Sequence, residues 1–382
     1  MKYALLGFGT VGVGVYEMME KLYAFECRKV LVRPGKVKEP WQTDNFVEIC
    51  EDPSVDIVVE VMGGLHPAYE YVRDALIAGK HVVTANKQLV AAYGVELQKL
   101  ALEQRLAFLF SPACGGGIPF LHNLALAAHT DRVTEVGGIL NGTTNYMLDA
   151  MQRRGWGYDE ALKNAQELGY AEAIPDADVG GMDAAAKIRL ACGVAFDLLP
   201  ELDGMCVEGI TSFTAGDVAH LQSKGLACKL IAKGGRLGDS IYAYVEPAIF
   251  EQSTAEAMLP DNYNLVKYLA DNAGDMTYSG QGAGRYPTAS AVVRDIQDIF
   301  WGRRLMFSAC LQPGKADPHA CSHPYYVRIS AAFADRIPAE SKEQAGDAVR
   351  IITPAMTVGD MHALAAALRQ EGAQVFFAGI EA

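Results

Sequence analysis

The feature that most constrains the fold is a glycine-rich turn within the first dozen residues. The apolar run from Tyr3 to Leu6 leads into GFGTVG, Gly7 to Gly12, and helical spacing follows from Val11. This is the G-x-G-x-x-G pattern in the strand, turn and helix context that gives it meaning. The three glycines would allow a tight turn, close approach of a pyrophosphate, and close helix packing. The turn therefore predicts dinucleotide binding, and a tight turn without a ligand is the alternative explanation.

Strands and helices continue to alternate up to about residue 130, which predicts a doubly wound parallel sheet of the Rossmann type. The expected elements are a strand at 30–33, a strand from 56, a helix from 67 to 79, a strand from 81, a helix near 95–104 and a strand from 107. We therefore assign residues 1–130 to a dinucleotide-binding domain.

A different pattern begins near residue 131, where a strand is followed by helical segments and then by further strands. This pattern predicts a second, α+β domain over 131–284. A long helix is expected from Thr288, and we expect residues 285–325 to pack back on the dinucleotide-binding domain. We expect residues 326–382 to form a small C-terminal appendage of strands and one helix.

Composition narrows the ligand to a small molecule. The 382 residues carry a net charge of -13 with no basic run, which argues against a nucleic-acid partner. The eight cysteines are scattered without a C-x-x-C pair, which favours reduced thiols rather than disulfides or zinc. No signal peptide pattern precedes the first strand, and no apolar run is long enough to span a bilayer. We therefore expect a cytoplasmic protein that does not enter the membrane.

The end of the second strand indicates which dinucleotide is preferred. NAD sites usually place an acid there for the ribose 2′-hydroxyl, whereas this chain has Arg33, followed by Lys36 and Lys38. These cations favour NADP, although NAD remains possible, and a solvated basic loop is the alternative explanation.

Candidate acid and base groups occur in two segments. Lys87 follows the predicted strand HVVT, at the sheet edge where ligands bind in such folds. Further along, Glu172 precedes Asp183 and Lys187, which are four residues apart and would share one face of a helix. By itself this spacing favours a surface ion pair, but a buried lysine could instead act as an acid or base.

The chain also resembles a known family through motifs that occur in the family's order. These motifs are GFGTVG, VVEVMGG, GKHVVTANK, GGGIP, GILNGTTNYML, LGYAEAxPxADVxGxDAAxK and GxGAGxxPTASAVVxD. They extend from Met1 to about Phe300 and resemble those of homoserine dehydrogenases. The resemblance implies reversible NAD(P)-dependent interconversion of L-homoserine and L-aspartate 4-semialdehyde, a step in threonine, methionine and isoleucine synthesis.

The resemblance also implies roles for individual residues. Lys187 would be the catalytic acid or base, Lys87 would assist it, and Glu172, Asp178 and Asp183 would bind the substrate. The cofactor would contact Gly7, Phe8, Gly9, Thr10, Val11, Gly12, Arg33, Gly63, Thr84, Lys87, Gly169, Glu172 and Gly284.

Further implications concern a cation, an oligomer and the tail. The family binds a monovalent cation, Na⁺, through backbone oxygens that match Cys114, Gly116 and Ile118. Ser111 stands where a glutamate is usual, so we expect the cation to be held weakly or not at all. A second departure is Ile174, where an acid is common. The 131–284 domain would also mediate assembly into a homodimer or a higher homo-oligomer. The appendage resembles a shortened ACT domain, and a small unit that packs on the core or on a partner subunit is the alternative.

Two other functions remain as alternatives. One is a different semialdehyde or sugar oxidoreductase with Cys114 as nucleophile, which the lack of a nearby base argues against. The other is a dinucleotide sensor without catalysis, which the retained lysines and acids argue against.

Overall fold

The computed structural model describes residues 1–304 and 306–381, and the chain divides into two compact units. The first unit consists of Met1–Arg132, Gly193–Leu199 and Gly280–Pro313. The second consists of Val133–Cys192, Pro200–Ser279 and the chain from Gly314 onward.

The elements are numbered in chain order through both units. The strands are β1 (Lys2–Leu6), β2 (Glu26–Leu31), β3 (Gln42–Thr43), β4 (Ile57–Glu60), β5 (His81–Thr84), β6 (Phe108–Leu109), β7 (Val133–Ile139), β8 (Leu198–Pro200), β9 (Cys206–Val207), β10 (Leu226–Leu237), β11 (Ser240–Glu251), β12 (Tyr263–Ala270), β13 (Gly274–Gln281), β14 (Gln312–Gly314), β15 (Ser322–His323), β16 (Tyr325–Ser330), β17 (Ser341–Ala345), β18 (Ala348–Ile352), β19 (Met356–Thr357) and β20 (Val375–Ile380). The α-helices are α1 (Thr10–Met19), α2 (Val47–Cys50), α3 (Ala68–Ile77), α4 (Lys87–Glu103), α5 (Phe120–Thr130), α6 (Gly142–Arg154), α7 (Tyr158–Glu167), α8 (Asp176–Val179), α9 (Met182–Phe196), α10 (Ala215–Ser223), α11 (Ala255–Met258), α12 (Arg285–Phe300) and α13 (Val358–Gln370).

The first unit is built on a parallel sheet with strand order β3-β2-β1-β4-β5-β6. Each neighbouring pair in this order is parallel. All four residues of β4 are buried, as expected for a strand covered on both faces. The strand order reverses beside β1, which is the position where ligands bind in doubly wound sheets. The predicted Rossmann-type sheet is confirmed.

Helix α4 begins earlier than the sequence predicts. The prediction began the helix near residue 95, whereas α4 starts at Lys87. Its N-cap is Asn86, whose side-chain oxygen accepts a hydrogen bond from the Leu89 N–H at 3.1 Å. An asparagine cap stabilises a helix start, and apolar periodicity does not include this signal. Lys87 is therefore the first residue of a helix rather than part of a loop.

The second unit contains a mixed sheet with strand order β13-β12-β7-β10-β11-β20-β16-β18-β17, and β9 pairs with β11. The long strands β10 and β11 form an antiparallel hairpin, and β7 lies antiparallel to β10 and β12. Helix α9 packs closely on this sheet, because a Cβ atom at Gly234 of β10 would lie 2.4 Å from Cys192 Sγ. Strands combined with helices α6 to α11 agree with the α+β prediction.

The C-terminal strands continue the same sheet rather than forming a separate one. Strand β20 pairs parallel with β11 and antiparallel with β16, while β18 joins β16 to β17. Helix α13 contributes Met361, Ala365 and Leu368 to an apolar core with these strands. None of the eight cysteines, all of which are among the described residues, forms a disulfide. Within the described chain, no helix combines the length and apolar character needed to cross a bilayer.

Candidate active site

The glycine turn, Gly7 to Gly12, leads from β1 into α1 as the sequence predicts. A Cβ atom at Gly12 would lie 2.3 Å from the Gly7 carbonyl oxygen, so this position requires glycine. A Cβ atom at Gly9, by contrast, would meet no protein atom within 4 Å. Gly9 is also the N-cap of α1 and provides no side-chain cap, so the helix N-terminus is available to an anion. The turn therefore fits a dinucleotide pyrophosphate.

The basic loop after β2 begins with Arg33, which is exposed. At its far end, Trp41 stacks on Tyr16 of α1 with ring centroids 5.2 Å apart, and it meets Phe8 edge to face at 5.4 Å. Phe8 belongs to the glycine turn, so these aromatic contacts attach the loop to the turn. No sequence motif assigns an individual role to Trp41 or Tyr16.

The ends of β4 and β5 are joined by a buried carboxylate, Glu60, that the sequence reasoning missed. One carboxylate oxygen accepts hydrogen bonds from the Met62 N–H at 2.8 Å and the Gly63 N–H at 3.2 Å. The other accepts from the Thr84 hydroxyl at 2.5 Å. Burial raises the pKa of Glu60, and these hydrogen bonds oppose that rise. Gly63 and Thr84 are both predicted cofactor contacts, and Glu60 holds them together.

Lys87 is positioned by the same network. The Thr84 hydroxyl oxygen accepts from the Asn86 N–H at 3.0 Å, and the Asn86 amide donates to the Gly64 carbonyl at 2.6 Å. Since Asn86 caps α4, the network fixes where Lys87 leaves the sheet. Lys87 itself is partly buried, in keeping with a functional lysine near a strand end.

In the second unit, Lys187 and Asp183 form a buried ion pair on α9. The Lys187 ammonium donates to Asp183 Oδ2 at 2.7 Å and to the Leu140 carbonyl at 2.6 Å. The side chains are only 12% and 6% exposed, respectively. An ordinary surface pair would be solvated, so the surface interpretation of the four-residue spacing is wrong. Burying such a pair is costly, which is typical of functional positions.

Asp178 joins this pair through Asn141, a residue to which the sequence reasoning gave no separate role. The Asn141 amide nitrogen donates to Asp178 Oδ1 at 2.7 Å and to Asp183 Oδ2 at 2.8 Å. We call Asp178, Asp183, Lys187 and Asn141 the acid–lysine cluster. The motif GILNGTTNYML contains Asn141, but only the folded chain brings it to α8 and α9.

The other predicted contacts lie on exposed backbone. Glu172 is exposed in the loop between α7 and α8, and its carbonyl accepts from the Gln166 amide at 3.1 Å. Gly169 in the same loop has a φ of 75°. Ile174 is 78% exposed, so the departure at this position adds an apolar side chain to the loop surface. In the first unit, Gly284 is exposed and is the N-cap of α12.

The predicted cation ligands Cys114, Gly116 and Ile118 follow a short 3₁₀ turn that begins at Ser111. Ser111 is fully buried, and its N–H donates to Asp295 Oδ2 at 2.8 Å. Burial raises the pKa of Asp295 to about 7. Cys114 is also fully buried, which does not suit a catalytic nucleophile.

A Rossmann-type unit with an open glycine turn, together with a second unit that carries a buried acid and lysine, defines an NAD(P)-dependent oxidoreductase. Two family models match the chain: the homoserine dehydrogenase NAD-binding domain over residues 7–111 and homoserine dehydrogenase over residues 119–297. The chain belongs to the homoserine dehydrogenase family.

Individual relatives agree with this assignment. A homoserine dehydrogenase of Synechocystis sp. is 37% identical over 347 residues, which cover 86% of this chain and 79% of the relative. One from Corynebacterium glutamicum is 39% identical over 315 residues, covering 77% and 70%. The crystal structure of a homoserine dehydrogenase from Thiobacillus denitrificans superposes with a TM-score of 0.88 at 31% identity, covering 100% of this chain and 98% of the other.

Proposed function

We propose that this chain catalyses the reversible NAD(P)-dependent interconversion of L-aspartate 4-semialdehyde and L-homoserine, a step in threonine, methionine and isoleucine synthesis. The observation that carries this proposal is the buried pair of Lys187 and Asp183 in a chain that also has an open dinucleotide turn. An amino-acid substrate carries an ammonium group, which carboxylates can hold.

The cofactor, when bound, supplies or accepts the hydride. The glycine turn would hold its pyrophosphate against the N-terminus of α1, where the helix dipole favours negative charge. Gly63, Thr84, Gly169, Glu172 and Gly284 would contribute the remaining contacts. We propose a preference for NADP, which Arg33 supports because it is exposed where an NAD site would carry an acid.

The proton would be handled by Lys187. In the reductive direction its ammonium would donate a proton to the carbonyl oxygen as hydride reaches the carbon, and in the oxidative direction the amine would accept it. Asp183 lies within hydrogen-bond distance of this ammonium and orients it. We propose that Asp183, Asp178 and Glu172 hold the substrate and that Lys87 assists as a second cation.

The residues present do not fit a firmly held monovalent cation. Ser111 is neutral, and burial raises the pKa of the Asp295 carboxyl that accepts from the Ser111 N–H to about 7. Backbone oxygens of Cys114, Gly116 and Ile118 would be left as the main ligands, and hard cations prefer carboxylates. We therefore propose weak cation binding and assign the cation no part in the chemistry.

The proposal extends to organisation. We propose a dinucleotide-binding domain at 1–130 with 285–325, a catalytic and dimerisation domain at 131–284, and a shortened ACT-like segment at 326–382 whose strands extend the sheet of the second unit. We propose a cytoplasmic homodimer, and sedimentation at micromolar concentration would test the dimer.

The decisive experiment follows NADPH absorbance with L-aspartate 4-semialdehyde and compares wild type with Lys187→Ala. Loss of a general acid or base lowers kcat by about 10²- to 10⁴-fold. An inert wild type, or a variant that keeps nearly full kcat, would refute the proposal.

Lys163→Ala is the matched control. Lys163 lies on α7 with its side chain 78% exposed and pairs loosely with Glu167 at 3.9 Å. We expect this variant to keep the wild-type kcat and stability, since exposed pairs contribute little. Equal losses in both variants would attribute the effect to charge in general rather than to Lys187.

A further inference from the structure

Asn141 lies at a junction between the sheet and the acid–lysine cluster. It follows β7 by two residues and is the N-cap of α6. Its side-chain oxygen accepts from the Thr144 N–H at 2.8 Å, and the Thr144 hydroxyl lies 3.1 Å from the same oxygen. Because these donors fix the oxygen, the amide nitrogen must point the other way.

That nitrogen faces two carboxylates. An asparagine amide has two N–H donors, and here one goes to Asp178 and the other to Asp183, at 2.7 and 2.8 Å. Asn141 is only 3% exposed and Asp183 7%, so water replaces these bonds poorly. Without the amide, two neighbouring acids would repel each other and would lose donors that favour their charged forms.

The same short segment also fixes the lysine. Lys187 donates to Asp183 Oδ2, the oxygen that Asn141 contacts, and to the carbonyl of Leu140, the residue before Asn141. The ammonium and its acid are thus both attached to two consecutive residues at the end of β7. A shift of this segment would move both groups together.

We propose that Asn141 is a positioning residue that bridges Asp178 and Asp183, favours their charged forms and thereby sets the direction of the Lys187 ammonium. This inference rests on the proposed function for its catalytic consequence. Asn141 would not touch the reacting atoms, and its effect would pass through Asp183.

The test is Asn141→Ser. Serine is also a good N-cap, so the variant keeps the start of α6 but removes both amide donors. We expect kcat/KM for the semialdehyde to fall by about 10- to 100-fold, as for a misplaced catalytic group, and the acidic limb of the pH profile to move to higher pH. The KM for NADPH should stay close to that of wild type, because Asn141 is not among the proposed cofactor contacts.

Asn145→Ser is the matched control. Asn145 is another buried amide of α6, but its oxygen accepts from Lys229 at 2.8 Å and its nitrogen donates to the Asp261 carbonyl at 2.8 Å. We expect this variant to lose stability without a change in the pH profile.

A second readout does not depend on activity. If Asn141 stabilises ionised carboxylates, Asn141→Ser should lose more stability against urea at pH 7.5 than at pH 4.5. Asn145→Ser removes an acceptor of the Lys229 ammonium rather than a donor to carboxylates, so it should lose no more stability at pH 7.5 than at pH 4.5.

Each outcome separates the two proposals. A pH-independent loss in Asn141→Ser, together with a wild-type pH profile and kcat/KM, would overturn the positioning role and leave the proposed function standing. An inert wild type with a pH-dependent loss would refute the proposed function, while the amide's hold on the carboxylates would stand.

Discussion

The two functional regions of this molecule use different chemical groups. The glycine turn of the first unit presents backbone N–H groups rather than side chains. An added Cβ atom would find open space at Gly9 and a close contact at Gly12. The acid–lysine cluster of the second unit consists of charged side chains taken out of water. The first region suits an anionic ligand, because backbone dipoles stabilise negative charge. The second suits a reaction that must move a proton.

This difference has an energetic consequence. A backbone site carries partial charges that need no counter-ion, so it costs little in the unliganded protein. A buried ion pair costs desolvation, and it persists only when each charge has close partners. We therefore expect substitutions in the glycine turn to act through steric contacts, and the stability of the second unit to depend on pH.

Among the substitutions that test this contrast between the two regions, Gly12→Ala should have the largest effect. The added Cβ would meet the Gly7 carbonyl oxygen at 2.3 Å, so the turn must shift. Overpacking of this kind costs on the order of 1–3 kcal/mol, and a displaced turn should weaken NADPH binding by at least about 10-fold. Urea unfolding and a fluorescence titration with NADPH would measure the two effects.

Gly9→Ala is the control for this prediction. Its Cβ meets no protein atom, so stability should change by less than about 0.5 kcal/mol, while NADPH binding still weakens because the ligand needs that space. Equal stability losses in both variants would contradict the steric argument. Unchanged NADPH binding in Gly9→Ala would place the pyrophosphate elsewhere.

We expect the buried amino group of Lys229 to make the stability of the second unit depend on pH. This lysine is 1% exposed, and its ammonium donates to Asn145 and to the Leu259 carbonyl, both at 2.8 Å. Burial lowers its pKa to about 8 from an ordinary value of 10.5. Between these two pH values the unfolded chain binds a proton that the folded chain lacks. This lysine therefore makes the free energy of unfolding rise with pH, by up to about 1.4 kcal/mol per pH unit.

Urea unfolding of wild type and Lys229→Met at pH 7.5, 8.5 and 9.5 would test this sign. The stability of wild type relative to the variant should increase across the series. Lys163→Met, which removes an exposed lysine, should show a constant difference from wild type. A constant difference for Lys229→Met would mean that the folded protein keeps this ammonium charged.

The same contrast explains what the sequence could predict. The glycine turn can be predicted from the sequence because only glycine fits at position 12 and the whole motif lies within six consecutive residues. The spacing of Asp183 and Lys187 is visible in the sequence, but their burial is not, because it depends on residues far along the chain such as Leu140, whose carbonyl accepts from Lys187. Family motifs, rather than spacing, gave Lys187 its role.

Residues that act through distant partners were missed. Glu60 meets Thr84, which is 24 residues away, and Asn141 meets Asp183 across 42 residues. Both residues lie within family motifs, VVEVMGG and GILNGTTNYML, but the motifs alone do not show which partners these side chains meet. The start of α4 at Lys87 is different, because the Asn86 N-cap is a local sequence signal that apolar periodicity does not include.

The smallest effect should come from Arg33, a charged side chain that we propose as a cofactor contact beside the backbone groups of the glycine turn. If Arg33 contacts a 2′-phosphate from an exposed position, Arg33→Ser should lower the preference for NADPH over NADH by about fivefold, since exposed ion pairs are worth up to about 1 kcal/mol. The ratio of kcat/KM values for the two cofactors measures this. Lys21→Ser removes an exposed charge just after α1 and should leave the ratio unchanged. An unchanged ratio in Arg33→Ser would make the basic loop solvated surface, and a wild type that prefers NADH would overturn the NADP proposal.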